Sequence, residues 1–223
     1  AHDSGFLGSD MVPFWSGATY SASTYGSAST LAYAFGGAGL LAASTDTTAT
    51  NTSSFIAELW FNTATSSGIR SLLYNGNSSA SGIGLYLFDD HLTILRGGLG
   101  IDDVASVLSS SWNYAALVYD GGNTTVYLNG TGYDMGSLTF NNPVGGGLLL
   151  GGSSTESDLF TGLIDDVRIS TFSPGTFASS MLSYSAVPEP STYAALAGLG
   201  VLLVAGLRKL RGKRGVSPAV NSA

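Results

Sequence analysis

The amino-acid sequence predicts an all-β protein, an antiparallel β-sandwich, with a single transmembrane helix at its C-terminal end. Three observations support this prediction. Apolar and polar side chains alternate along much of residues 30–170, turn dipeptides such as Asn-Gly and Gly-Gly separate the alternating runs, and an uncharged apolar run follows near the C-terminus. The length of 223 residues allows one domain of ordinary size and a short appendage.

Each predicted strand is a short run in which alternate side chains are apolar or aromatic, as expected of a strand with one face on a core. In the first clear run, Phe55, Ala57, Leu59 and Phe61 share one face. Residues 120–123, Asp-Gly-Gly-Asn, join two later runs and form the strongest hairpin signal. Short strands at this spacing are typical of two antiparallel sheets packed face to face. The predicted strands cover residues 55–62, 68–74, 83–88, 91–95, 112–119, 124–129, 148–150 and 160–170.

The apolar run at residues 191–207 has the length of a membrane-spanning helix. It carries no charge, and as a helix it would extend ~26 Å at ~1.5 Å per residue, close to the ~30 Å thickness of the hydrocarbon core. A basic cluster follows at once, formed by Arg208, Lys209, Arg211, Lys213 and Arg214. Because such clusters mark the cytoplasmic side, we expect the residues before 187 to lie outside the cell membrane. The alternative, a buried core helix, would leave these cations without acidic partners.

The four residues Val187, Pro188, Glu189 and Pro190 precede this apolar run. The order of Pro-Glu-Pro, apolar span and basic cluster resembles the PEP-CTERM sorting signal of exported bacterial proteins, here over residues 187–214. The resemblance implies that the inner membrane holds the chain transiently and that an exosortase-type protease processes it near the Pro-Glu-Pro, for delivery to the cell surface or extracellular matrix. The tail at residues 215–223 is longer than is usual in that family. No signal peptide is visible at the N-terminus, and we expect the mature form.

Three motifs occur in order in the predicted sandwich. They are WNYAALVYDG at 112–121, YLNG at 127–130 and FTGLIDDVRI at 160–169. In this order they resemble the laminin-G-like jelly rolls of the concanavalin A-like lectin and glucanase superfamily. The resemblance implies a jelly-roll sandwich over residues 30–186, with the Ser/Thr/Gly-rich segment 1–29 packed on it. The dipeptide Ser173-Pro174 fits the start of a short closing helix.

The charged residues exclude nucleic acid as a partner. Residues 1–187 hold three basic and fourteen acidic side chains, a net charge of −11. A nucleic-acid-binding protein needs a basic face to neutralise phosphates, and this segment cannot build one. A zinc site is also disfavoured, because the chain has no Cys and only two His.

The sequence does not indicate the catalysis found elsewhere in the superfamily. A glycosidase on this scaffold needs two facing carboxylates, commonly as Glu-x-Asp-x-Glu on one strand, and Glu58 has no acidic neighbour two positions away. Asp90 and His91 stand beside many serines, as a hydrolytic triad would require, but the sequence does not show which of these residues meet in space. We therefore expect a protein that is not an enzyme. Glycosidase or lyase activity stays an alternative, because the fold hosts both.

Three acidic pairs are candidate calcium ligands, since Ca²⁺ takes roughly six to eight oxygen ligands and several laminin-G-like domains bind calcium at the rim of the sandwich. The pairs are Asp89-Asp90, Asp102-Asp103 and Asp165-Asp166. The alternative is that these side chains cap turns and solvate loop ends, with Arg168 available to pair with one member of the last pair.

Trp15 is the candidate for stacking on a sugar ring, because it lies outside the region of resemblance. Its alternative role is to pack an N-terminal strand on the sandwich, and Trp60 and Trp112 are expected in the core. These observations predict an exported, non-catalytic surface or matrix protein that binds polysaccharide or acts in adhesion. A structural matrix or filament component that associates through exposed strand edges is the first alternative.

Overall fold

A computed structural model describes residues 11–13, 18–22, 31–38, 41–43, 53–64, 67–143, 147–153 and 157–184. The chain divides into two compact units, Ala1–Tyr184 and Ser185–Ala223. The second unit lies outside the described residues, and with it lie the sorting motif 187–190, the predicted transmembrane helix and the basic cluster. No helix among the residues that are described is both long and apolar enough to cross a bilayer.

The described part of the chain forms fourteen strands and one short 3₁₀ helix, Ser179–Met181. The strands are β1 (Met11–Pro13), β2 (Ala18–Ser21), β3 (Ala32–Gly36), β4 (Leu41–Ala43), β5 (Ser54–Asn62), β6 (Ile69–Asn75), β7 (Ile83–Phe88), β8 (His91–Arg96), β9 (Gly100–Ser106), β10 (Trp112–Asp120), β11 (Asn123–Leu128), β12 (Thr131–Ser137), β13 (Leu148–Leu150) and β14 (Thr161–Thr171).

The strands form two antiparallel sheets of seven strands each. Sheet A has the order β1-β4-β13-β6-β7-β8-β9, and sheet B has the order β12-β11-β10-β5-β14-β3-β2. Strands β1 and β2, which belong to the predicted N-terminal segment 1–29, pair with β4 and β3. The predicted antiparallel β-sandwich is therefore confirmed.

The main core lies between the two sheets, and the period of two in β5 places its side chains there. Phe55, Ala57, Leu59 and Phe61 belong to this core, as the alternation predicts, together with side chains from sheet A such as Leu85. Burial of a Phe or Leu side chain contributes about 1.5–3 kcal/mol to folding. The inner faces of the sheets are thus occupied by packing, and any ligand site must lie on an outer face or at an end of the sandwich.

The outer face of sheet B carries a second apolar cluster, which the closing segment, residues 172–184, covers. Ile56, Trp60 and Tyr114 lie in this cluster. The Trp60 ring stacks on Tyr184 with 5.8 Å between ring centroids, and Trp60 is only 5% exposed. This packing explains why both faces of β5 are buried. It also confirms the expected burial of Trp60.

The structure corrects two expectations about local structure. The predicted closing helix from Ser173 is wrong, because residues 173–176 form a single turn in which the Thr176 N–H donates to the Ser173 carbonyl at 3.1 Å. Ala178 and Leu182, which flank the 3₁₀ helix, have extended backbones. Aromatic contacts with sheet B and hydrogen bonds to Glu58 and from Arg168 hold this segment on the sheet. Strands β9 and β12 were not predicted, since their acidic and Gly-containing runs lack strong alternation.

Candidate functional site

One row of side chains on the outer face of sheet A is open to solvent. Strand pairing aligns Ile69 with Phe88, Phe88 with His91 and His91 with Ser106 across β6, β7, β8 and β9. Residues opposite one another in antiparallel strands point to the same face, with Cβ atoms about 4.5–5.5 Å apart. We call these four residues the outer row. Phe88 is 47% exposed and Ile69 is 37% exposed, so the row presents apolar surface beside polar groups.

The polar half of the outer row is a hydrogen-bonded cluster around His91. The His91 Nδ1 atom lies 2.9 Å from Asp103 Oδ1, and the Ser106 Oγ atom lies 3.0 Å from His91 Nε2. Asp90 Oδ1 is 4.0 Å from His91 Nε2 and is the more distant carboxylate. The side chains of His91 and Asp103 are 41% and 65% exposed. We call His91, Asp103 and Ser106 the His91 cluster.

A β-bulge brings Asp103 and Ser106 to the same side of β9. Ala105 pairs with Leu92 and Asp103 pairs with Thr93, so Val104 is an extra residue in this strand. In a regular strand, residues three positions apart point to opposite faces. The extra residue re-aims one of them, as bulges commonly do. The sequence signals the β8–β9 hairpin through its glycines at 97, 98 and 100, but it carries no signal for the bulge.

A second row beside the outer row is polar but buried. Strand pairing aligns Ser71, Tyr86 and Thr93, and within the described structure the Ser71, Tyr86 and Thr93 hydroxyls make no hydrogen bond. Burial is the main cause of the raised pKa of Tyr86. Desolvation also raises the pKa of Asp158, whose charge acts on Tyr86. We call Ser71, Tyr86 and Thr93 the hydroxyl row.

Glu58 forms the most buried polar cluster, on the outer face of sheet B. Its carboxylate is 0% exposed and accepts hydrogen bonds from Arg168 Nε, from the Tyr114 hydroxyl and from the Ser183 N–H, the last at 2.9 Å. Arg168 also donates to the Met181 carbonyl. Burial is the main cause of the raised pKa of Tyr114. The cluster fastens the closing segment to the sheet and leaves no room for a substrate at Glu58.

The structure brings two of the three acidic pairs close together: Asp90 and Asp103 lie 4.0 and 2.9 Å from the His91 ring, whereas the third pair lies in β14 of the other sheet. Asp89 accepts a hydrogen bond from the Gly68 N–H at 2.9 Å in the β7–β8 turn, and Asp102 forms a bidentate pair with Arg96 at 2.6 and 3.1 Å. Asp90 lies in the same β7–β8 turn as Asp89, and Asp103 lies beside Asp102 in β9. Asp165 and Asp166 both lie in β14. The first pair therefore lies in a loop, as predicted for calcium ligands, whereas the other two pairs lie within strands.

The alternative to calcium binding left Arg168 available to pair with Asp165 or Asp166, but in the structure this arginine pairs with Glu58. Burial is the main cause of the raised pKa of Asp166, and the neighbouring charge of Asp165 adds to it. In the part of the chain that is described, no three His, Asp or Glu side chains converge as a metal site. Calcium binding stays a prediction.

The other candidate residues have separate outcomes. Trp15, the predicted sugar-stacking residue, lies outside the described residues. Trp112 is half-buried and packs against the cluster on the outer face of sheet B. Phe88 was not singled out in the sequence, because an aromatic residue at a strand end is compatible with core or surface until the register is known.

A family model described as the concanavalin A-like lectin/glucanases superfamily, of laminin G type, matches residues 35–173. The chain belongs to this superfamily. A second model, the PEP-CTERM protein-sorting motif, matches residues 186–211 and indicates an exported protein. Both predicted resemblances are therefore confirmed. No curated protein matches the sequence significantly.

Solved structures of this superfamily fold resemble the sandwich. Domain 4 of AbnA, a GH43 extracellular arabinanase from Geobacillus stearothermophilus, was solved in complex with arabinotriose. It is 18% identical, with a TM-score of 0.56 over 71% of this chain and 82% of that chain. The receptor binding domain of botulinum neurotoxin mosaic serotype C/D is 11% identical, with a TM-score of 0.54 over 74% of this chain and 43% of that one.

The NanB sialidase of Streptococcus pneumoniae is 17% identical, with a TM-score of 0.50 over 62% of this chain and 25% of that one. The chain therefore spans under half of the neurotoxin domain and a quarter of the sialidase. At these identities the three likenesses establish a shared fold.

Proposed function

We propose that this exported protein binds carbohydrate at the cell surface or in the extracellular matrix, through the outer face of sheet A. The observation that carries the proposal is the outer row, in which the exposed ring of Phe88 adjoins the His91 cluster. Oligosaccharides present both C–H surfaces and hydroxyl groups. An aromatic ring beside a few fixed polar groups is the combination that ligand sites commonly use.

The packing of the sandwich favours sheet A over sheet B. The closing segment covers the outer face of sheet B around Trp60, and the Glu58 cluster fastens it there. Displacing that cover would break the hydrogen bonds from Ser183 to Glu58 and from Arg168 to the Met181 carbonyl and would expose the apolar cluster around Trp60, at a cost of several kcal/mol. The outer row requires no such displacement, since Phe88 and His91 are already open to solvent.

The hydroxyl row supports the choice of sheet A, and the likeness to a domain solved with arabinotriose supports an oligosaccharide as the ligand. The hydroxyls of Tyr86 and Thr93 lie one row away from Phe88 and His91 and lack hydrogen-bond partners among the described atoms. Buried polar groups without partners are unusual and call for an explanation. The arabinanase domain with a similar fold was solved with arabinotriose, and we propose an oligosaccharide for this chain as well.

We propose that binding, not cleavage of glycosidic bonds, is the task of this surface. Glycosidases place two carboxylates about 5–10 Å apart across the bond that they cleave. Glu58 is buried and bound to Arg168 and Tyr114, so it cannot serve as one of them. We therefore propose that the protein does not hydrolyse glycosidic bonds.

We further propose that residues 191–207 span the inner membrane for a time, with the sandwich outside and the basic cluster in the cytoplasm. An exosortase-type protease would act near residues 187–190. The sorting-motif match at residues 186–211 supports this proposal. The mass of the protein recovered from the cell surface tests it, because cleavage near the Pro-Glu-Pro would remove the basic C-terminal residues.

The alternative of assembly through strand edges is less well supported. Edge strand β9 carries Asp102 and Asp103, and edge strand β12 carries Asp134. Negative charges on edge strands oppose pairing with another copy of the same edge. Sedimentation of the purified protein over a range of concentrations tests this alternative.

A glycan array with the full chain in detergent tests carbohydrate binding. We expect Phe88→Ala to weaken binding to any glycan retained by the parent protein about ten- to a hundredfold, since a contact of this size contributes about 1.5–3 kcal/mol. The matched control is Tyr20→Ala, which removes an exposed aromatic ring from sheet B, where Tyr20 is 59% exposed. Loss of binding in Tyr20→Ala with retention in Phe88→Ala would move the site to sheet B. A parent protein that binds no glycan would overturn the proposal.

A further inference from the structure

The His91 cluster has the connectivity of a nucleophile, a base and an orienting acid. Ser106 Oγ lies 3.0 Å from His91 Nε2, and His91 Nδ1 lies 2.9 Å from Asp103 Oδ1. Both distances fall within the range of about 2.6–3.2 Å that links the members of a serine hydrolase triad. The two contacts use opposite ring nitrogens, so one imidazole connects the hydroxyl to the carboxylate.

The two hydrogen bonds fit the tautomer that a general base at Nε2 requires. With the proton of neutral His91 assigned to Nδ1, that nitrogen donates to Asp103, and Nε2 accepts from the Ser106 hydroxyl. The carboxylate thereby fixes the tautomer in which Nε2 is the base. The β-bulge at Val104 is what allows Asp103 and Ser106 to reach the same ring, and bulges occur often beside active sites.

We propose that Ser106 is a nucleophile toward carboxylic esters, with His91 as its general base and Asp103 as a positioning residue. Oγ attacks the ester carbonyl carbon while its proton moves to His91 Nε2. The tetrahedral intermediate then breaks the bond to the alkoxy oxygen, which leaves as an alcohol with the proton from His91. The acyl group is now on Ser106. Water, deprotonated by His91, releases it as a carboxylic acid, and the serine is regenerated.

The solvent exposure of the His91 cluster determines which esters can reach Ser106 and how fast they are hydrolysed. His91 and Asp103 are largely exposed, so the site accepts an ester carried on a bulky or polymeric group without enclosing it. Exposure also keeps the local dielectric high, which weakens stabilisation of charge in the transition state. We therefore expect slow turnover, and covalent labelling is the more sensitive measurement. This activity goes beyond carbohydrate binding and does not depend on it.

The test is labelling of the full chain in detergent with a fluorophosphonate probe, with the modified residue identified by mass spectrometry. We expect Ser106 to be labelled, and His91→Gln to slow labelling by a factor of about ten or more. Asp103→Asn should slow it while leaving the melting temperature unchanged, and Asp103→Glu should restore part of the rate. Ser109→Ala, a variant of an exposed serine in the turn that follows β9, is the matched control and should label at the parent rate.

Hydrolysis of p-nitrophenyl acetate separates serine chemistry from that of a free imidazole. An exposed histidine can cleave this ester unaided, so activity that survives in Ser106→Ala would overturn the proposal. Failure of the folded parent protein to label at Ser106, or equal labelling of other exposed serines, would overturn it too. Each of these results is independent of glycan binding, which Phe88→Ala tests separately.

Discussion

Replacing the tyrosine that binds Glu58 tests whether the closing segment is fastened as the structure indicates. In Tyr114→Phe the ring and its packing stay, but the Glu58 carboxylate loses one of three hydrogen-bond donors. A hydrogen bond to a charged group contributes about 1.5–3 kcal/mol. Because two donors remain, we expect the free energy of unfolding to fall by about 2 kcal/mol.

The matched control removes a hydroxyl of equal burial that has no hydrogen-bond partner among the described residues. Tyr86, like Tyr114, is 0% exposed, and its hydroxyl belongs to the hydroxyl row. Tyr86→Phe deletes a buried hydroxyl whose desolvation no hydrogen bond offsets. We therefore expect the free energy of unfolding to be unchanged or raised, within about 1 kcal/mol. The two variants make the same chemical change, and only the surroundings of the hydroxyl differ.

Urea unfolding followed by tryptophan fluorescence measures both variants, since Trp60 packs on Tyr114 and Tyr184. With a slope of about 2 kcal/mol per molar urea, Tyr114→Phe should lower the midpoint by about 1 M. Limited proteolysis within residues 172–184 should also become faster. Equal midpoint shifts in the two variants would refute the reasoning, as would a larger loss in Tyr86→Phe.

Three further measurements test other parts of the structure. Asp158→Asn should raise the free energy of unfolding at about pH 7 but not at about pH 3. Burial raises the pKa of this carboxyl in the folded state, so the ionised form destabilises the protein only as pH rises above the unfolded pKa of about 3.9. An equal gain at both pH values would contradict this. Gly82→Ala should lower the free energy of unfolding by more than about 2 kcal/mol, because φ is +94° and the added Cβ would overlap the Asn75 carbonyl. Gly68→Ala has a similar φ of +83° but open space around the Cβ, so it should cost only about 1 kcal/mol of backbone strain. Similar losses for the two variants on denaturant unfolding would rule out the steric explanation. Calcium binding at the loop pair Asp89-Asp90, as predicted, should raise the melting temperature in excess calcium above that in a chelator, because a ligand that binds only the folded state stabilises it; equal melting temperatures in calcium and in chelator would contradict the predicted site.

The period of two was enough to predict the central strands and the faces of β5. The core residues Phe55, Leu59 and Phe61 lie where the alternation places them. The closing segment could not be predicted, because a serine and a proline fit a helix start equally well whether or not a sheet lies beneath them. Its conformation depends on contacts with Trp60 and Glu58, which are more than a hundred residues earlier in the chain.

The His91 cluster depends on register, which composition does not reveal. The sequence places Asp90 next to His91, yet the structure brings Asp103 and Ser106 to the ring. That outcome requires both an unpredicted strand, β9, and a bulge at Val104 within it. A single-residue change in register would turn these side chains to the other face, so only the folded arrangement identifies the cluster.

Mapping the ligand contact by NMR tests the central proposal most directly. A glycan retained by the array is added to isotope-labelled protein, and amide chemical-shift changes are assigned to strands. We expect the largest changes in β6, β7, β8 and β9, centred on Phe88 and His91. Changes concentrated in the closing segment or in β2, with sheet A unaffected, would contradict carbohydrate binding at the outer row.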